Sequence, residues 1–168
     1  MVDGVMAVRR FQGADLGVVW ALNALPNIGA TADPAVPIPL PPSTTAPAAF
    51  PDLADIEASF LAVGGEFLVV ELDGHVVGMG GYRTGPGARA EVLRVRVHPA
   101  TRRRGVGRVL MSGLEKRAAD SGVTTMHLDT ATNQPEAMAF YRGLGYREVG
   151  REHHPAWTLV HYAKQPAA

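Results

Sequence analysis

Apolar residues recur along this chain with two different periods. Leu16, Val19, Trp20 and Ala24 fall on one face at helical spacing, so a helix is expected over 14–25, behind a short strand at 5–10. Val106, Val109, Leu110, Gly113, Leu114 and Ala118 share a second such face and predict a helix over 109–119. Pro135 suits a first helical position and Gly145 a stop, which brackets a third helix at 135–144. Asp52 is placed to cap a shorter helix at 53–62, with Asp55 in its first turn. Strand-like runs occupy 66–72 and 75–82, joined by the turn dipeptide Asp73-Gly74. Further strands are expected at 91–98, 125–130, 146–151 and 157–163. Glycines 78, 80 and 81 weaken the second hairpin arm and would let another group approach its backbone. Val92-Leu93 breaks simple alternation and is consistent with a bulge there. The order is strand, two helices, three strands, helix, strand, helix, two strands. That is a single mixed α/β domain over 1–168.

One segment interrupts this pattern. Residues 26–51 hold eight of the thirteen prolines and only one charged residue, Asp33. Proline fixes φ and removes a backbone donor, so a helix or central strand is excluded. A loop this long within a small domain is usually functional or disordered. The strand and helix before it are too small to stand alone, so it is read as a loop within the domain.

Composition narrows the chemistry. The chain has 168 residues, 46% of them apolar, enough for a real core. Lys+Arg and Asp+Glu both number 16, which argues against nucleic acid as the main partner. There is no cysteine, so disulfides, thiolate metal sites and cysteine nucleophiles are excluded. No apolar run reaches about 18 residues, and no secretory leader is evident at the start. A soluble cytoplasmic protein is the default expectation, with no membrane partner. His153, His154 and His161 could suggest a metal. Adjacent residues on an extended chain point to opposite sides, however, so a solvated loop is the better reading and no metal is expected.

The densest chemical signal is Arg102-Arg103-Arg104-Gly105-Val106-Gly107. A strand feeds it and a helix leaves it. The first N–H groups of a helix lack internal partners and the helix dipole favours an anion there, so such a turn is suited to hold a pyrophosphate. Glycine at 105 and 107 removes side chains that would keep phosphate oxygens away. It is not a dinucleotide fingerprint, because position 110 is Leu, nor a Walker loop, because no Gly-Lys-Ser/Thr follows.

With its flanks, the segment resembles the GNAT superfamily of acyl-CoA-dependent N-acyltransferases. The central motif of that family is a strand, Gln/Arg-x-x-Gly-x-Gly/Ala and a helix, matched by Ala90 to Pro99 followed by Arg102 to Gly107. Its second motif, a helix ending in Tyr-x-x-x-Gly-Phe/Tyr, is matched by Tyr141 to Tyr146. The resemblance implies a mixed, mostly antiparallel sheet of six to seven strands, splayed between the fourth and fifth, with about four flanking helices. It implies acetyl-CoA as co-substrate, the pantetheine paired along Val95 and Val97. The pyrophosphate would then lie on Arg102, Arg103, Arg104, Gly105, Val106, Gly107 and Arg108, with Arg103 and Arg104 serving through their amides. Relatives often carry a cofactor-contacting asparagine seven residues before the tyrosine. Here Gln134 stands there, with Asn133 one residue earlier.

The implied reaction is direct attack of a small-molecule amine, an amino acid among the candidates, on the thioester. An ammonium must first lose a proton, and Glu91, where many relatives carry a glutamate, is the candidate base. Tyr141 is the candidate acid for the leaving thiolate. Arg94 and Arg83 are candidate anchors for an anionic group on the acceptor. Trp20, Asn23, Asn27 and Phe50 are candidate walls of its pocket. Many relatives dimerise through their last strands, so the resemblance allows a homodimer. The rival class is a non-catalytic acyl-CoA-binding or sensor module on the same fold.

Overall fold

A computed structural model describes residues 4–25 and 32–166. Asn27 lies outside them. The hairpin arm β2 (Glu66–Leu72) is buried on both sides, and strand alternation sorts its side chains into two cores. Leu68, Val70 and Leu72 join one cluster, Phe67 and Val69 the other. β2 pairs antiparallel with β1 (Met6–Arg10) and with β3 (His75–Gly85). β3 pairs antiparallel with β4 (Arg89–Val97). Beyond β4 lie β5 (Thr125–Ala131), β7 (Thr158–Lys164) and β6 (Arg147–His153), giving seven strands in the order β1-β2-β3-β4-β5-β7-β6.

Only β4 and β5 run parallel, and they pair over just three residues, Arg89–Glu91 against Thr125–His127. Past Glu91 the two strands part, as the resemblance implied. α2 (Val106–Asp120) and α3 (Pro135–Gly143) contribute to the core that holds Leu110, Leu114 and Tyr141. α1 (Leu16–Ala24) and the turns at 51–61 contribute to the other, around Phe60, Phe67 and Met79. No helix among the described residues is long and apolar enough to cross a membrane.

Two expectations are corrected. The helix over 53–62 is instead a 3-10 turn, Pro51–Ala54, and a wide π turn, Glu57–Leu61. Asp52 does not cap it. Its carboxylate accepts hydrogen bonds from Arg94 and lies 3.4 Å from Arg83, and two guanidiniums outcompete one amide for it. The Asp55 carboxylate, just ahead of the π turn, accepts the Ala58 N–H at 3.0 Å. The bulge in β4 also falls later than Val92-Leu93. Leu93 pairs with Gly81 and Arg96 with Met79, so β4 advances three residues where β3 advances two. Arg94 is the residue in the left-handed region, with φ of 62°.

The β3 glycines serve close packing. A Cβ on Gly78 would stand 2.7 Å from Val106 Cγ1 and 3.3 Å from Val70 Cβ. Val106 is the first residue of α2, so this contact sets how near the helix start lies to the sheet. Overpacking of this kind typically costs about 1–3 kcal/mol. Gly78→Ala should therefore lower stability to chemical denaturation by that amount and displace the start of α2. Gly85→Ala is the control, because its added methyl meets nothing within 4 Å and should be close to neutral.

Candidate functional site

β4 is followed directly by His98, whose side chain is fully buried. Its Nδ1 accepts the Ala100 N–H at 3.0 Å, so Nε2 carries the proton and donates to the Pro37 carbonyl at 2.8 Å. The Asp33 N–H donates to the Pro99 carbonyl, and the Ser43 N–H to that of Gly17. These contacts fasten the proline-rich loop beside the end of β4. A 3-10 turn at Pro99–Thr101 then leads into the arginine-glycine turn.

That turn reverses twice through the left-handed region, at Arg103 with φ of 64° and at Gly105 with φ of 85°. Glycine at 105 is explained by this conformation. Val109 N–H makes the first bond back into the turn, to the Gly105 carbonyl. The amides of Val106, Gly107 and Arg108 precede it and have no intrahelical partner. Together they open on a cavity of about 440 Å³.

The cavity brings together most of the expected cofactor residues: Val95, Val97, Arg102, Arg103, Gly105, Val106, Gly107, Arg108, Gln134 and Tyr141. Thr101, Glu136, Ala137 and Phe140 also line it, without having been expected. Arg104 does not line it. Its side chain is exposed and its backbone amide donates to the Thr101 carbonyl at 3.3 Å. Of the two amide candidates before α3, Gln134 lines the cavity while Asn133 is exposed. The Gln134 Oε1 accepts the Thr130 hydroxyl at 3.1 Å. Arg102 Nε is buried with no hydrogen-bond partner among the described residues. Burial pushes the Arg102 guanidinium down from its ordinary value, opposed by Glu136. A cation withdrawn from water with a donor unused is what an anion would complete.

At the far end stands Tyr141, buried and edge-on to both Phe140 and Tyr146. Burial drives its phenol well above its ordinary value, with Arg96 opposing and Asp129 reinforcing. The hydroxyl therefore keeps its proton at neutral pH. Tyr141 lines the cavity together with Val95 and Val97, which lie on the stretch of β4 that has parted from β5.

Glu91 sits on the last paired rung, opposite His127 of β5 and Arg83 of β3. It is half-buried and lies outside the cavity lining. Burial, with Arg89, holds the His127 imidazole below the ordinary histidine value, so it is neutral at pH 7. Sequence reasoning missed His127; its signal is a titratable residue in a strand whose neighbours Met126 and Leu128 are core.

The expected acceptor anchors have other partners. Arg94 reaches Asp52 Oδ2 from Nη2 at 2.9 Å and lies 4.6 Å over the Phe50 ring. Arg83 shares the same carboxylate and covers Phe60. Trp20 donates its indole N–H to the Leu53 carbonyl at 2.7 Å, tying α1 to the 51–54 turn. Asn23 is buried and accepts weakly from Arg96 Nε, at 3.4 Å. Arg96 was not singled out from sequence, although a charge between Val95 and Val97 was its signal. His153 bonds Thr158, His154 stacks on Trp157 and His161 meets Glu152 at 2.8 Å.

Glycine at 107 has a second reason. A Cβ there would stand 2.9 Å from Phe140 Cζ, so this glycine lets α3 close over the start of α2. Gly107→Ala should lower stability to chemical denaturation by about 1–3 kcal/mol, the typical cost of overpacking. Adding Phe140→Leu, which removes the atom the new methyl meets, should relieve that strain in the same measurement.

Comparison with known proteins agrees with this architecture. The model of the acetyltransferase (GNAT) family matches residues 38–146. Human N-acetyltransferase 8 is 32% identical over 115 residues, covering 65% of this chain and 51% of that protein. The chain thus spans about half the length of such curated relatives. Among solved structures, a GNAT-family acetyltransferase from Staphylococcus aureus Mu50 superposes with a TM-score of 0.76 at 16% identity, covering 97% of this chain and 100% of that one. An acetyltransferase from Salmonella typhimurium, solved with its cofactor acetyl-CoA, gives 0.69 at 21% identity, covering 96% and 94%. At such identities the structural likeness speaks for the fold alone. The family model spans well over half of the chain, and on that ground the chain belongs to the acetyltransferase (GNAT) family.

Proposed function

We propose that this chain is an N-acetyltransferase that moves an acetyl group from acetyl-CoA to the primary amine of a small molecule by direct attack. One observation carries the reading. One cavity is lined by the first residues of α2, Val106, Gly107 and Arg108, whose amides have no intrahelical partner, by Val97 and Val95, and by Tyr141. Its polar end suits a pyrophosphate, and the unpaired Arg102 Nε supplies a further donor. Its middle is apolar, with Ala137 and Phe140 facing the two valines, and suits a pantetheine arm lying along the free side of β4.

Acetyl-CoA, when bound there, supplies an activated thioester. In the transfer a nitrogen–carbon bond forms, the carbon–sulfur bond breaks, one proton leaves the amine and one reaches the sulfur. Tyr141 is positioned at the split with its proton retained, and serves as the donor to the leaving sulfur. Glu91 lies where the strands part, on the face opposite the cavity, and serves as the acceptor of the amine's proton. Direct attack is the expected route, since the chain has no cysteine and no Ser–His–Asp spacing stands out in it.

A thiol-release assay with acetyl-CoA across amino acids, polyamines and aminoglycosides tests the reading. Tyr141→Phe should lower kcat by roughly 100-fold or more with little change in the amine KM. Glu91→Gln should lower kcat/KM at neutral pH, and the loss should shrink as rising pH deprotonates the amine itself. If the wild type and both variants bind acetyl-CoA equally and no amine is acetylated, the chain is instead a non-catalytic acyl-CoA-binding module.

A further inference from the structure

Arg96 is a half-buried cation that nothing so far employs. It stands between Val95 and Val97, which line the cavity, so strand alternation turns it to the opposite side of the sheet. There its neighbours Arg83 and Arg94 are both matched to Asp52. Among the described residues, the Arg96 side chain has only the 3.4 Å hydrogen bond from Nε to Asn23 Oδ1. No carboxylate lies within ion-pair reach of it among the described residues, and residues 26–31, which follow Asn23 in the chain, contain no acid. A guanidinium drawn out of water without a carboxylate is costly. Burial, with the charges of Arg94 and Arg102 added, pushes its proton affinity down from the ordinary value.

Its position gives that cost a use. Arg96 lies beyond the last β4–β5 rung at Glu91, on the stretch of β4 whose other face, Val95 and Val97, lines the cavity together with Tyr141. It cannot serve the pyrophosphate, because it faces away from the cavity that Arg102 lines. Arg94, the residue expected to anchor an anion, is already engaged by Asp52.

We propose that Arg96, steadied by Asn23, binds the carboxylate of the acceptor, so that the substrates are carboxylate-bearing amines of the amino-acid class rather than simple cationic amines. The inference rests on the acetyl-transfer reading above. A planar guanidinium offers two parallel N–H groups to a carboxylate, which fixes the direction of the adjacent amine as well as its distance. The same positive charge disfavours an ammonium nearby, and so favours the neutral amine that can attack. An acceptor lacking an anion meets only the repulsion.

The test is a panel of amino acids, each assayed beside its decarboxylated amine, phenylalanine with 2-phenylethylamine for instance. Wild type should favour the carboxylate member of the accepted pair by roughly 100-fold or more in kcat/KM, as two charge-assisted hydrogen bonds would give. Arg96→Gln should raise the amino-acid KM roughly 10- to 100-fold, leave the acetyl-CoA KM unchanged, and leave the decarboxylated amine unchanged or better used. Arg96→Lys should recover part of the preference. Asn23→Asp, which neutralises Arg96 in place, should lose it. An unchanged pair ratio in Arg96→Gln, with acetyl-CoA binding intact, overturns the inference while acetyl transfer stands. Calorimetry of amino-acid binding to the CoA-loaded protein separates the two readings. Binding that is lost in Arg96→Gln, with no amine acetylated, keeps the anchor and removes the reaction. Binding equal in both proteins, or absent from wild type, removes the anchor.

Discussion

One extra residue in β4 sets the phase on which the site depends. Ala90 and Val92 face the α2 core, and in a regular strand Arg94 and Arg96 would follow them on that side. Because β4 advances three residues against two of β3, the phase shifts once, and Val95 and Val97 turn to the core side instead. Glu91, Leu93 and Arg96 are left on the α1 side. The same strand therefore lines the cavity with its second half and presents a carboxylate to the opposite face with its first. A bulge also bends and twists its strand, which accords with a β4–β5 ladder that ends after three rungs.

The bulge is held by charge. A non-glycine residue in the left-handed region costs on the order of 1–3 kcal/mol, and it persists only where its surroundings determine it. Arg94 is fixed by three hydrogen bonds to the Asp52 carboxylate and by the Phe50 ring beneath it. Arg94 is thus a positioning residue for the strand. The short 51–54 turn exists in part to present Asp52, and Trp20 ties that turn to α1. A surface turn, a helix and a sheet irregularity form one mechanical unit behind the site.

Much of this was legible in the sequence. Asp73-Gly74, the helical face of α2, and Pro135 with Gly145 each encode a local preference that the fold does not oppose. So does the arginine-glycine turn, since αL geometry at Gly105 and exposed amides are properties of the segment itself. The face expected for α1 holds at Leu16, Val19 and Trp20, whereas Ala24 is exposed and Leu22 and Asn23 are buried instead. What could not be read depended on distant partners. Asp52 is a good N-cap by type, but the guanidiniums 31 and 42 residues away claim it. Arg104 carries an amide like its neighbours, and only the folded turn shows Thr101 taking it. Arg96 and His127 acquire meaning from strand register, which a single strand's pattern does not contain.

The docking of the proline-rich loop has a consequence for how this scaffold can diversify. Its attachments to the strand end and to α1 run through main-chain groups, the Pro37 carbonyl and the Asp33 and Ser43 amides, met by one imidazole and two further carbonyls. Of the loop's own side chains, Ile38, Leu40 and Phe50 pack against the two cores and are bound to stay apolar. Exposed positions between them, such as Thr44, Ala48 and Ala49, carry none of that mooring. A descendant could exchange those while the loop stayed attached.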